Sequence, residues 1–552
     1  MDKLNVTLEN GEKLLVDREM TLYQIIKDNR LKNYSNCVLG KFNGELCELN
    51  YKVKEDGKFE PINPSEKVSI NAYIRTLKFV LIKAVKDLYP KAVVSIEHSL
   101  SKGLFGEIYK ETPLNNDDIL KIKERMQQII DKDIIIKKIS VSKNEAINIF
   151  KEYNMEDKVK ILNHVNSDTV KLYELDGIYD YFYGSMAYST GILKTFDLIY
   201  YSQGFILRTP TEENPYKLPE FIEHKKLAKI FYEAEQWAKI LNISNVGSLN
   251  DKVVSGEIVD MIRIAEALHE KKAAYIADMI ESKKSVKIIL IAGPSSSGKT
   301  TFTRRLAIQL KVNGLMPVSI SLDDYFVDRE KTPKDENGEY DFESIYALDL
   351  ELFNNNLSQL LEGREVVVPQ FDFLTGSRKW HEKPLILPDN GVILIEGIHG
   401  LNEILTSSIP KENKFKIYIS ALTQLNLDNH NRIATTDVRI VRRIVRDYLS
   451  RGYSAEETLK MWPSIRRGEE KNIFVFQEEA DVMFNSSLIY ELCILKKYAE
   501  PELKKITADS PVYYEAIRLK SFLNLFKDVD GDLVPDNSIL REFIGGSCFY
   551  KY

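Results

Sequence analysis

At 552 residues the chain is too long for one ordinary hydrophobic core, and its length suggests roughly three to four domains. Hydrophobic residues make up 44% and charged residues 29%, a globular balance that excludes a disordered or collagen-like chain. The formal net charge of -6 provides no global positive field of the kind that marks nucleic-acid binders, although a local basic patch is compatible with it.

The N-terminal MDKLNVTLENGEK lacks the apolar core of a signal peptide. The apolar run VKIILIAG is far shorter than the roughly 18 residues of a membrane helix. Cys37, Cys47, Cys493 and Cys548 form no CxxC pair, which predicts reduced thiols in a cytoplasmic protein without a membrane partner.

Residues 1–60 predict a small mixed module. LNVTLENGEKLLV reads as a hairpin around Asn10-Gly11, MTLYQIIKD as a short helix, and NCVLGKFNGELCELNYKV as a second hairpin around Asn43-Gly44. Residues 61–235 predict an α+β region. It opens with the apolar-striped helix RTLKFVLIKAVKDLYP, stopped by Pro90, and continues with the helices NNDDILKIKERMQQIIDKD and SVSKNEAINIFKEY. The Tyr-rich stretch DGIYDYFYGSMAYSTGILKTFDLIYYSQGFILRTP predicts turns and strands. Residues 236–285 read as a helical connector.

Over residues 286–490, the runs VKIILIAG, PVSISLDDYF, EVVVPQFDF, GVILIEGIHG and KFKIYISAL alternate with helix-like intervals. That alternation predicts an α/β domain with a parallel sheet covered by helices. Residues 491–552 read as a helical extension packed on that domain.

Gly293-Pro294-Ser295-Ser296-Ser297-Gly298-Lys299-Thr300 matches the phosphate-binding G-x-x-x-x-G-K-[ST] loop in full, with an apolar strand before it and the helix TTFTRRLAIQLKV after it, and Thr301 is expected to join these residues in binding ATP. Backbone N–H groups at such a helix start surround phosphate oxygens. Lys299 then reaches the terminal phosphates, and the Thr300 hydroxyl helps hold Mg²⁺, so ATP and Mg²⁺ are the expected ligands.

SLDDYF puts Asp323 and Asp324 near the carboxyl edge of a sheet, where ligands gather. One carboxylate can receive a hydroxyl proton while the other holds the turn; a solvated acidic turn is the competing reading. Glu396 follows another apolar strand, where it can assist the metal beside Thr300 or merely end the strand. DVRIVRRIVRDYLSRG can gather some of Arg439, Arg442, Arg443, Arg446 and Arg451. A charge-balancing lid, a nucleic-acid contact and a solvated face are all open uses.

Taken in order, GPSSSGKTT, LDDYF, PQFDF, LIEGI and RRIVRD make residues 286–480 resemble the uridine/cytidine kinase branch of the phosphoribulokinase-like P-loop kinases. The resemblance implies ATP- or GTP-dependent, Mg²⁺-dependent phosphorylation of a nucleoside 5′-hydroxyl. It makes Asp323 the catalytic base, with Phe326 in place of a tyrosine, and Phe371 and Phe373 acceptor-binding residues. Glu343 falls near the acid that contacts the sugar, while Arg442, Arg443 and Arg446 correspond to lid arginines. Gly376 stands where the family has a base-contacting histidine, which leaves purine nucleosides, other ribosyl compounds and other small alcohols open as acceptors.

The first 60 residues resemble the β-grasp TGS domain of threonyl-tRNA synthetase and regulatory GTPases. The traces RTLKFVLIKAVKDLYP, EHSLSKGLFGEI and YFYGSMAYSTGIL make residues 61–235 similar to that synthetase's editing domain. That domain's metal group would need an H-x-x-x-H pair and later Cys and His residues. RTLKF and YFYGSMAYSTG contain neither, and His98, His164 and His224 are too dispersed to replace them. The expectation is therefore a domain without its metal or its editing chemistry. RNA contact by this half, a nucleotide-regulated RNA- or ribosome-binding role and a homo-oligomer stay open.

Overall fold

Asn-Gly pairs turn the chain back on itself because both central residues of a tight hairpin need positive φ. Asn43 (φ 50°) and Gly44 (φ 82°) do this between the strands Leu39–Phe42 and Glu45–Glu48. A computed structural model describes residues 3–28, 31, 34, 36–334, 338, 340–372, 375–423 and 425–550. They form two compact units, one of residues 1–223 with 426–432, the other of 224–425 with 433–552.

The first unit begins with a five-stranded sheet in the order Lys13–Asp17, Lys3–Leu8, Gly57–Pro61, Leu39–Phe42, Glu45–Glu48. The helix Leu22–Asp28 closes a core that includes Val6, Ile25 and Phe59. Next, the helix Lys67–Leu88 buries most of its circumference, Leu77 and Phe79 through Val85 included, and stops two residues before Pro90. The helix Asn116–Asp131 packs on the same core and starts with a capping box between Asn115 and Asp118. These helices accompany an antiparallel sheet in the order Asp197–Tyr201, Gly204–Arg208, Gly103–Tyr109, Val93–Leu100. A smaller sheet, Ile178–Asp180, Thr169–Leu175 and Lys137–Ser142, has its own core with the helices Lys143–Glu152 and Glu156–His164.

In the segments that resemble the editing domain's metal-binding positions, Phe79 and Phe182 pack with ring centroids 5.2 Å apart, and Met186 is buried. His98 lies on the Phe105 ring, and burial holds its imidazole down at about 3.

A short antiparallel pair from much later in the chain, Asn426–Asp428 with Asn431–Arg432, completes the first unit. Ile96 N donates to Asn429 O at 2.7 Å, and Asn429 N donates to Asp157 Oδ2 at 2.8 Å. Beneath it, Lys158 Nζ lies 2.9 Å from Asp180 Oδ1 and 3.0 Å from Asp428 Oδ1, while His430 Nδ1 lies 2.7 Å from Asp180 Oδ2. Burial opposes the charges of Asp180 and Lys158. Their mutual attraction outweighs it, keeping the carboxyl well below the usual range and the ammonium well above its own.

The second unit centres on a five-stranded sheet in the order Met316–Ser321, Gly391–Glu396, Ile288–Ala292, Lys414–Ser420, Val482–Asn485, with every neighbouring pair parallel. The fully buried Ile288–Ala292 occupies its middle. This is the P-loop kinase fold, a parallel sheet flanked by helices, and the whole chain is a mixed α/β multidomain protein.

One strand expectation is corrected. The PQFDF run is not part of the parallel sheet: Pro369–Asp372 pairs antiparallel with Ser377–Trp380 as a separate hairpin. The starting proline has no N–H for a ladder, which suits a hairpin edge better than a sheet interior. Helices Lys225–Ile240, Val246–Val254 and Ile258–Ser282 belong to this unit, as do Glu491–Lys504 and Tyr513–Leu523 near the C-terminus. Among the described residues no helix is long and apolar enough to cross a membrane.

Candidate active site at the phosphate loop

The loop between the central strand and the helix Lys299–Val312 must bend sharply and leave room for a ligand. Ser296 (φ 58°) and Gly298 (φ 81°) adopt left-handed backbone, and Ser296 does so at a cost that such sites commonly carry. A Cβ on Gly293 would overlap the carbonyl oxygen of Ile419, so the loop can sit this close to the sheet only with glycine there. The Ser296 and Ser297 hydroxyls are buried without a hydrogen-bond partner among the described residues, an arrangement that a phosphate group would satisfy. Lys299 Nζ donates to the carbonyls of Gly293 (2.9 Å) and Pro294 (3.3 Å), which holds it across the mouth of the loop.

Thr300 Oγ1 donates to Glu396 Oε1 at 3.3 Å. Burial and then Asp323 push the Glu396 carboxyl up to about 7, against the pull of Lys299. Glu343 is likewise pushed up to about 7 by burial and by Glu469, while Lys299 and Arg443 oppose the shift and Asp323 adds to it. Asp323, Glu343, Glu396 and Lys299 thus share one electrostatic neighbourhood. A divalent cation beside Thr300 would relieve the carboxylate crowding, so the donor set fits Mg²⁺.

The adjacent aspartates divide. Asp324 accepts the Phe371 amide at 3.2 Å and ties the strand Met316–Ser321 to the Pro369 hairpin. Asp323 is exposed beside it. Phe326 and Phe371 pack with centroids 5.7 Å apart. Phe373 lies outside the described residues. Gly376 sits in the hairpin turn at φ 68°, a conformation that a histidine would rarely adopt.

On the helix Thr435–Arg446, Arg439, Arg442 and Arg443 grip the loop rather than share an open face, and the lid picture is corrected for the buried Arg442 and for Arg446, which bonds Asp447 instead. Arg439 Nε donates to Ser295 O at 2.9 Å and is paired with Glu469. Arg442 is fully buried, with Nε on Glu491 Oε2 at 2.6 Å and Nη1 on Ser296 O at 3.4 Å. Arg443 Nη1 donates to Ser295 Oγ at 2.6 Å, and burial lowers its guanidinium to about 10. Arg446 turns to Asp447 at 2.8 Å. The reason is that the helix is buried nearly all round, from Val438 to Arg446 with only Arg443 partly open, so each guanidinium takes a carboxylate partner.

Thr301 also departs from the expected phosphate contact. It is fully buried, and Glu542 accepts both its amide (3.1 Å) and its hydroxyl (2.9 Å). Sequence reasoning missed Glu469, whose Oε1 accepts the Ser295 amide at 2.8 Å, and Glu542, because each comes from a segment far from the motif. It also missed His381, Arg304 and Lys383, which line a cavity of about 440 Å³ that has Thr300, Asp324 and Glu396 in its wall.

The family model described as "Phosphoribulokinase / Uridine kinase family" matches residues 288–488. The N-terminal region is homologous to threonine–tRNA ligases. That of Caldanaerobacter subterraneus subsp. tengcongensis is 30% identical over 195 residues, covering 35% of this chain and 30% of the ligase. That of Prochlorococcus marinus is 28% identical over 195 residues, covering 35% of this chain and 31% of the ligase. The chain therefore spans about 30% of the length of these curated relatives. Solved structures with partial similarity include a possible uridine kinase from Bacillus stearothermophilus (20% identity, TM-score 0.25, 36% of this chain and 89% of that one). Another is D-glycerate 3-kinase from Cryptococcus neoformans var. grubii (15% identity, TM-score 0.22, 48% and 89%). By the family match, residues 288–488 of the second unit are similar to the phosphoribulokinase/uridine kinase family.

Proposed function

We propose that this kinase domain transfers the γ-phosphoryl group of ATP to a hydroxyl of a small molecule, with the 5′-hydroxyl of uridine or cytidine as the first candidate. The observation that carries the reading is the meeting of Asp323, Glu343, Glu396 and Lys299 beside a loop with two unsatisfied serine hydroxyls. Lys299 and the loop amides hold the phosphates, and Thr300 with Glu396 would hold Mg²⁺, which offsets charge on the transferring group. Asp323 takes the proton as the acceptor oxygen bonds to the γ-phosphorus; the bond from that phosphorus to the bridging oxygen breaks and ADP leaves. Phe326 and Phe371 form an apolar wall for the acceptor, and Glu343 is placed to accept from its hydroxyls. Arg443 balances charge at the loop, and Arg442 and Arg446 keep its supporting helix in place.

A second acceptor class has its own support. The 440 Å³ cavity has Arg304, His381 and Lys383 in its lining, against Asp324 and Glu396. A hydroxyl compound that carries a phosphate or carboxylate would use Arg304 and Lys383. Purified protein with labelled ATP and a panel of nucleosides, sugars, sugar phosphates and hydroxy acids separates the readings. A stoichiometric nucleoside monophosphate supports the first and a phosphorylated anionic acceptor the second; ATP consumption with no phosphorylated acceptor counts against both and returns attention to a nucleotide-regulated binding protein. In the productive assay, Asp323→Asn is expected to slow turnover by roughly 10²–10⁴-fold while nucleotide binding persists, and unchanged turnover would remove Asp323 as the base.

A further inference from the structure

The first unit holds a cavity of about 480 Å³, within the usual range for small-molecule sites, and it lies wholly in residues 23–216. One wall comes from the β-grasp module, the other from the first turn of the helix Lys67–Leu88 and the loop that follows the strand Ile178–Asp180. Tyr23 and Tyr188, one from each wall, are stacked with centroids 4.3 Å apart and planes 17° from parallel. The two rings occupy each other's inner faces, and Lys27 Nζ lies over the Tyr23 ring 5.9 Å from its centroid, so a further planar ring would extend the stack from the Tyr188 side.

Ser69, also in the lining, is fully buried, and its hydroxyl has no hydrogen-bond partner among the described residues. An unsatisfied hydroxyl at a cavity wall is costly unless a ligand or water takes it up. The charges are equally uneven. Lys27 and Lys194 line the cavity without an ion-pair partner among the described residues. Asp133 is the one carboxylate among the described lining residues, and its Oδ1 is already taken by Ser189 Oγ (2.5 Å) and Gly191 N (3.0 Å).

We infer that this cavity binds a small planar aromatic ring bearing an anionic group, of the size and chemistry of a nucleoside monophosphate. The ring extends the Tyr23–Tyr188 stack, the Ser69 hydroxyl bonds a polar edge, and Lys27 and Lys194 hold the anion. This site is separate from the phosphate loop and does not depend on the proposed acceptor.

The test is calorimetric titration and thermal shift on the full chain, in a Lys299→Ala background that weakens nucleotide binding at the phosphate loop. AMP, GMP, CMP and UMP are the probes, with the four nucleosides and ribose 5-phosphate as controls lacking the anion or the ring. At least one nucleotide is expected to bind more tightly than its nucleoside and than ribose 5-phosphate. Tyr188→Ala is expected to weaken that binding by roughly tenfold or more. Ser69→Ala is expected to weaken binding while leaving the ligand-free melting temperature equal or higher, a split that a purely structural serine would not produce. The absence of saturable binding by all four nucleotides, or equal affinity in Ser69→Ala and a folded Tyr188→Ala, overturns the site. Equal affinity for a bare nucleoside or for ribose 5-phosphate overturns the ligand class.

Discussion

Each unit buries a cluster of charges, and the two clusters are finished to different degrees. In the first unit, Lys158, Asp180, Asp428 and His430 answer one another, and Asn431 Nδ2 adds a bond to Asp428 Oδ2 at 2.8 Å. Beside the phosphate loop of the second, Glu343 and Glu396 each feel Asp323 and Lys299 and are each pushed up by burial, and the Ser296 and Ser297 hydroxyls have no partner among the described residues. A completed network holds a fold in one arrangement. An incomplete one stores unfavourable free energy that a ligand can relieve, so it marks where binding takes place.

The contrast is tested most severely by Lys158→Met. It leaves Asp180 and Asp428 buried without their shared cation and should cost about 3–5 kcal/mol in urea unfolding. A loss under about 1 kcal/mol would mean that the first cluster is not a completed lock.

The opposite sign is expected from Glu396→Gln. A carboxyl raised to about 7 in the folded state, from an ordinary value near 4.5, gives stability that is fully present below the lower value and lost as pH rises through the higher. Glutamine has no such loss. The variant should therefore gain on the parent between about pH 5 and 7 and level off above, by on the order of 3 kcal/mol, while turnover falls. A gain that grows toward low pH would contradict the sign.

Smallest is Ser297→Ala, which removes a buried hydroxyl that has no partner. Ligand-free stability should stay level or rise by up to about 1 kcal/mol, and the melting shift produced by ATP with Mg²⁺ should shrink. A clear loss of ligand-free stability would show that the loop is already satisfied.

What the sequence disclosed follows the range of the interactions. The phosphate loop, Thr300, Glu396 and the Asp323-Asp324 pair could be read because each sits at a strand end or helix start with its own local pattern. The Asn-Gly hairpins and the helix stopped before Pro90 were legible for the same reason. Glu469 and Glu542 were not, since a carboxylate that caps an amide more than 170 residues away leaves no periodic trace. The inward turn of Arg442 and Arg446 depends on Glu491 and Asp447, partners that helical spacing alone does not single out. The edge strand Val482–Asn485 is four residues long and hidden in a polar stretch, whereas PQFDF looked like a sheet strand and forms a hairpin.

The pair of short strands at 426–432 bears on how this chain can be divided. Because the first unit is built from two separated stretches of sequence, no single break yields both units whole. A fragment ending at residue 223 would retain Lys158 and Asp180 but lack Asp428 and His430, exposing half of a charge network evolved to stay dry. The two regions that resemble separate proteins are in this sense no longer detachable modules: any gain, loss or exchange of one must carry a seven-residue graft from within the other.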